Sequence, residues 1–256
     1  KKEYAQSARE IFEYVLRDMA GPEGGFYSAE DADSLPLENP KEEREGAFYV
    51  WSEKEISNIL SKTEAGIFNY YFGVLAPGNV LSDPFGDFQG KNILYIARSL
   101  EETARNFGQT PAETEKIISD SREKLFTARS QRPRPHLDDK ILVDWNGLMI
   151  SALAFGSRVL NEPRYCIAAE KSAQFILKNL LRKDARLWRR FRDGEAAIEA
   201  MLDDYAFFIH GLIDLYEATF NPVYLKEARK LTRNILQLFW DDKDGGFFFV
   251  RADTQN

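Results

Sequence analysis

The chain has 256 residues, of which 44% are hydrophobic and 13% aromatic, enough for a sizeable core and too apolar for a disordered chain. Its net charge of −7, with acids and bases interspersed, leaves no basic footprint for nucleic acid or an anionic membrane. The lone cysteine, Cys166, rules out an internal disulfide, a CxxC redox pair and a cysteine-built zinc site, and no apolar run approaches the roughly 20 residues that span a bilayer. A reducing compartment, the cytoplasm, is the expectation.

The N-terminus, Lys1-Lys2-Glu3-Tyr4, has neither a starting Met nor a signal segment and runs straight into an amphipathic stretch. The chain therefore reads as an internal piece of something longer. Apolar periodicity predicts a first helix over residues 3–19, ending before Gly21-Pro22. Ser52 and Glu55 read as a capping box opening a short helix to about Leu60, and residues near 64–73 continue the pattern. Ser99 with Glu102 reads as a second box. Thr110-Pro111 with Glu113 starts a longer helix to about Arg129, the proline in its favoured first-turn place.

Two similar helical pairs follow. Residues 143–160 lead through Asn161-Glu162-Pro163 to a helix ending near Leu181, and residues 203–220 lead through Asn221-Pro222 to one ending near Trp240. Pro163 and Pro222 stand 59 residues apart, as do Asp144 and Asp203, so the pairs superimpose without a gap. The first helix of each pair is apolar nearly all round and the second is amphipathic, which predicts an inner helix wrapped by an outer one. Inner-to-outer turns are short, and outer-to-inner connections are long and aromatic. The predicted class is all-α: an α/α toroid whose six-hairpin ring is incomplete here. Residues 1–256 would be part of that one domain, with short β-hairpins in its loops.

Antiparallel alternation places the starts of the inner helices and the long connectors at one mouth. Asp144 and Asn146 begin one inner helix, and Asp203 and Asp204 begin the next. Lined with carboxylates and faced by Trp145, Tyr205 and Trp188, such a mouth suits a sugar: acids bond hydroxyls and aromatic faces cover a pyranose. The same acids also suit plain helix N-caps, and a helix N-terminus keeps them ionised, better bases than acids. The loop Glu30, Asp31, Asp33 offers an acid for glycoside chemistry, a calcium ligand set without EF-hand spacing, or simply a solvated turn. His136 and Asp139 sit in a mixed-charge loop, His136 being a candidate acid/base group. His210 lies among apolar residues and reads as a hydrogen-bonded core histidine. No P-loop, GxGxxG, HExxH or Ser-His-Asp order occurs, so no cofactor and no metal is expected.

The strings Gly25-Phe26-Tyr27-Ser28-Ala29-Glu30-Asp31-Ala32-Asp33-Ser34 and Glu45-Gly46-Ala47-Phe48-Tyr49-Val50-Trp51 resemble the thioredoxin-domain-containing proteins of the YyaL and spermatogenesis-associated protein 20 type. Gly90-Lys91-Asn92-Ile93-Leu94, the block from Arg132 to Met149, Leu202-Asp203-Asp204-Tyr205-Ala206-Phe207 and Gly245-Gly246-Phe247-Phe248 continue the resemblance in order. It implies a thioredoxin-like domain followed by a toroid of the six-hairpin glycosidase or N-acylglucosamine 2-epimerase kind, and that first domain is absent from these residues. Epimerase relatives of the toroid use paired histidines and an arginine, for which His136 and Arg192 are the nearest positions. The expectation is therefore a toroid that binds a sugar-like small molecule and transforms it by acid/base chemistry. Asp144, Asp204, His136 and Asp31 are its candidate catalytic groups. Glu30, Asp33, Asp139, Trp145, Asn146, Asp203, Tyr205 and Arg192 form its candidate binding wall. The alternative is a non-catalytic scaffold presenting protein partners to a thioredoxin-like domain in cis.

Overall fold

The computed structural model describes residues 2–37, 41–84 and 86–251. Along the chain come α1 (Lys2–Asp18), the two-residue strands β1 (Ala29–Glu30), β2 (Asp33–Ser34) and β3 (Arg44–Glu45), then α2 (Glu53–Ile59), α3 (Lys62–Tyr71), α4 (Leu100–Phe107) and α5 (Pro111–Arg129). After β4 (Leu137–Asp138) and β5 (Ile141–Leu142) follow α6 (Val143–Leu160), α7 (Pro163–Asn179), the hairpin β6 (Trp188–Arg192) and β7 (Glu195–Glu199), α8 (Leu202–Thr219) and α9 (Pro222–Leu238). Helices dominate and the strands are short pieces of the connectors. The chain falls into two compact units, Lys1–Ala29 with Leu137–Asn256, and Glu30–His136. The sequence reading treated them as parts of one domain.

The larger unit is built on the repeat. Val143 and Leu202 open the inner helices, Leu160 and Thr219 close them, and Pro163 and Pro222 start the outer ones, each pair 59 residues apart. Asn161 and Phe220 take the left-handed conformation at the end of α6 and α8, which turns the chain sharply into the proline-started partner. The inner helices α6 and α8 pack on each other, with α7 against α6 and α9 against α8. This is the nested hairpin arrangement of an α/α toroid, with two complete hairpins in this unit.

Glycine sets how closely the inner helices approach. A Cβ on Gly147 would lie 2.5 Å from the Phe207 carbonyl carbon and the Phe208 nitrogen, and one on Gly211 would lie 2.5 Å from the Gly147 oxygen. Ile150, Leu153, Phe208, Leu212 and Leu215 are fully buried beside that contact. The inner helices, apolar nearly all round, are not buried on every face within this unit. Trp145, Leu148, Phe155 and Val159 of α6 are 44–60% exposed, and with Ala152 they form a single stripe at i, i+3, i+7, i+10 and i+14. No described residue of the unit covers that face.

The unit Glu30–His136 packs α2, α3, α4 and α5 around Trp51, Ile56, Phe68 and Leu125. The predicted boxes at Ser52/Glu55 and Thr110/Glu113 are present, and an unpredicted one forms at Ser61/Glu64. At Ser99 only half of the expected box exists: its side chain caps the Glu102 nitrogen without a reciprocal bond. Buried Asn92 is this unit's polar pin. It accepts from Leu75 N at 2.8 Å and donates to the Trp51 and Leu75 carbonyls at 3.1 Å each.

Candidate functional site

Two residues into α6, Asp144 points back at the helix end, and its Oδ1 accepts from the Trp145 N–H at 2.8 Å. At the equivalent end of α8, Asp203 accepts from the Asp204 N–H at 3.0 Å and Asp204 accepts from the Met201 N–H at 2.8 Å. The acids thus satisfy donors that the first helical turn leaves free. The antiparallel ladder Ile141↔Phe191, Leu142↔Arg190 lays β6 beside the start of α6. From that strand Arg189 reaches across both helix ends. Its Nη1 lies 3.0 Å from Asp204 and 3.4 Å from Asp203, and its Nη2 lies 3.2 Å from Asp144.

The result is one guanidinium among three carboxylates. Oxygens of Asp144, Asp203 and Asp204 lie within 4.8 Å of one another, the one group among the described residues with metal-ligand spacing. Arg189 already supplies a countercharge there. Asp144 and Asp204 are buried, and the Asp203 side chain is a quarter exposed.

Asp204 is the chemically distinctive member. Burial pushes its carboxyl up to about 7, with the neighbouring Asp144 and Asp203 adding to the rise, against the Met201 N–H and Arg189. The expectation that helix-end acids stay ionised is therefore corrected at this position, because desolvation outweighs the helix-end donors. Both bonds of Asp204 go to Oδ2, while buried Oδ1 has no partner.

Two expected wall residues do other work. Asn146 accepts from Phe26 N at 2.7 Å and the Ser172 hydroxyl at 3.0 Å, and donates to the Phe26 and Leu142 carbonyls at 2.9 and 2.8 Å. Its amide has no bond left for a ligand. Tyr205 is buried, accepts from Leu187 N at 2.9 Å and packs on Phe239, so it is core and not a stacking surface. Trp145 is half exposed, on the apolar stripe of α6. His210 is corrected too: it stands exposed on α8, 3.4 Å from Asp214.

Asp139 and Arg192 meet elsewhere in the same unit, Oδ1 to Nε at 2.8 Å. Glu30, Asp31, Asp33 and His136 belong to the other unit. There Glu30 accepts from Tyr49 at 2.8 Å and Arg134 at 2.9 Å. Burial first, then Glu30, pushes the Tyr49 hydroxyl up to about 12. Asp31 accepts from Asp33 N at 3.2 Å, an Asx turn, and lines a cavity of about 510 Å³ with Tyr49, Trp51, Phe88 and Arg129. His136 is exposed, its carbonyl accepting from Asp31 N at 2.8 Å.

Sequence reasoning missed Arg189 and named Arg192 instead. Strand alternation alone separates them, since residues 189 and 191 share one face of β6 and 192 faces away. Three acids at two helix starts also call for a cation, and the arginine-rich connector was the place to look.

Sequence comparison finds relatives along nearly the whole chain. Spermatogenesis-associated protein 20 of Homo sapiens is 37% identical over 270 residues, covering 98% of this chain and 34% of that protein. The Mus musculus protein of the same name is 36% identical over the same share. An uncharacterized Caenorhabditis elegans protein is 38% identical over 260 residues, 96% of this chain and 35% of that protein. The chain spans about a third of the length of these relatives. No family model matches it. Among solved structures, a GH76 alpha-mannanase from Bacteroides thetaiotaomicron gives a TM-score of 0.42 at 14% identity, over 95% of this chain and 73% of that one. A D-mannose isomerase gives 0.38 at 12%, over 93% and 51%. Likenesses this slight carry no argument about chemistry.

Proposed function

Since the chain belongs to the family of spermatogenesis-associated protein 20, we propose that it is part of a carbohydrate-binding or carbohydrate-modifying toroid in a protein that also carries a thioredoxin-like domain. The lone thiol, pushed up by burial, is consistent with a reducing compartment such as the cytoplasm. The observation that carries the reading is Asp204: a buried carboxyl poised near neutrality beside two further carboxylates, at the shared end of two inner helices.

Acid/base work on a sugar needs one group that gives a proton and another that takes it. Asp204 holds the proton, and Asp144 and Asp203, fed by helix-end N–H donors, are the bases. Arg189 positions all three. The oxygens stand too close for the roughly 6.5–9.5 Å that an inverting hydrolase keeps for its water. The geometry therefore favours retaining glycosidase-like or epimerase-like proton transfer. Trp145, half exposed one residue from Asp144, is the aromatic platform.

A second reading is a scaffold that presents protein partners to the thioredoxin-like domain. The saturation of Arg189 by three acids and the uncovered stripe of α6 favour it. Thermal-shift screening with a panel of mono- and disaccharides separates the two. A sugar at 100 times its Kd stabilises by about 2.7 kcal/mol, and Asp204→Asn should abolish the response. A flat screen overturns the carbohydrate reading.

A further inference from the structure

In the larger unit, a cleft of about 240 Å³ lies away from the three acids. Three separated stretches build it: the turn Gly21–Tyr27, Asp139 ahead of β5, and the end of β6 with Asp193 beyond it. Phe191 stands edge-on to Phe175, centroids 5.2 Å apart at 88°, so the wall is aromatic. The backbone at Gly25 is pressed close to Ile141, since a Cβ there would meet its Cδ1 at 2.7 Å.

The polar side of the cleft is an ion pair with capacity to spare. Asp139 Oδ1 and Arg192 Nε are shielded from water and 2.8 Å apart, yet they are not aligned as a hydrogen bond. Apart from Asp193, whose Oδ2 lies 3.7 Å from the same Nε, no other described side chain pairs with either group; both side chains are partly exposed, and Oδ2 of Asp139 and the Nη groups of Arg192 are open to a ligand. Buried polar atoms without a partner are uncommon and call for an occupant.

We infer that this cleft binds one ring of a neutral polyol, a single sugar unit, independently of the three-acid cluster. Glu23, Asp139 and Asp193 outnumber Arg192 around the cleft, which disfavours an anion, while Arg192 disfavours a bare cation, so a neutral ligand is the one that suits both. A ligand with adjacent hydroxyls gains both bonds, because each hydroxyl donates to a carboxylate or accepts from a guanidinium. The apolar face of the ring lies on Phe191 and Tyr27. The volume falls below the roughly 300–1,000 Å³ of sites for larger ligands, so it holds one ring and not a chain.

The test is amide NMR of the labelled protein titrated with methyl α-D-glucopyranoside and methyl α-D-mannopyranoside, closed rings that resist isomerisation. Saturable shifts at Gly25, Tyr27, Asp193 and Gly194 are expected with at least one of them. Asp139→Asn should weaken binding about tenfold and Arg192→Gln similarly, while Asp204→Asn leaves it unchanged. The absence of saturable shifts, shifts confined to Asp144 and Asp203, or full affinity in both cleft variants with native spectra each overturn the proposal. Because Asp204→Asn spares this site, its failure and that of the acid-cluster reading are told apart.

Discussion

Nη1 of Arg189 lies 3.0 Å from Oδ2 of Asp204, and the same guanidinium bonds Asp144 and Asp203, so one side chain of β6 ties the starts of α6 and α8 together. Arg189→Met strands three carboxylates, two of them buried. It should cost about 3–5 kcal/mol in urea unfolding. Measured at pH 9, above the raised Asp204 midpoint, adding Asp204→Asn should recover part of that loss, because one of the stranded charges is then gone. Purely additive effects would show that the two residues are not energetically joined.

The raised carboxyl of Asp204 gives stability a sign with pH. An ordinary aspartate in the unfolded chain loses its proton near 3.8, whereas the folded protein keeps this one to about 7. Between those values the folded state binds more protons, so this group lowers stability as pH rises from about 4 to 7 and adds no further slope above that. The contribution is at most about 1.4 kcal/mol per pH unit, and urea unfolding of Asp204→Asn across this range should lack it.

Gly147 and Gly211 set the approach of the inner helices. Gly147→Ala pushes a methyl into the Phe207–Phe208 backbone, which cannot turn aside, and should destabilise by about 1–3 kcal/mol or more. Gly66 in α3 is the control: a Cβ there meets Phe107 at an ordinary 3.5 Å. Gly66→Ala should stabilise by about 0.5–1 kcal/mol. Thermal unfolding of the two variants reads opposite signs.

Asn146→Ala should destabilise strongly, at about 1–3 kcal/mol for each buried partner left bare, without altering any sugar response per folded molecule. A variant of native stability that loses sugar binding would return Asn146 to the ligand wall.

The local features of this fold were legible because they rest on neighbours in sequence. Serine and threonine caps, Pro163 and Pro222, and the 59-residue recurrence each act within a turn or two, and the helices begin where those signals stand. What depended on distant partners was hidden. Tyr205 occupies a helix start like the acids beside it, but its hydroxyl answers Leu187 and its ring answers Phe239, so it is core. His210 looked buried because its neighbours in sequence are apolar, yet the side chain faces outward beside Asp214. Arg189 differs from Arg190 and Arg192 only in the strand face it takes, and only the pairing with Ile141–Leu142 fixes that face. The same reasoning erred on Asp204, since the helix end was readable and the depth of burial was not.

The most direct test is a carbon-13 titration of the Asp204 side-chain carboxyl. A midpoint near 7 that rises further in Arg189→Met is the result this account predicts. An Asp204 that ionises near pH 4 would contradict it, because Asp204 would then carry no proton to give at neutral pH.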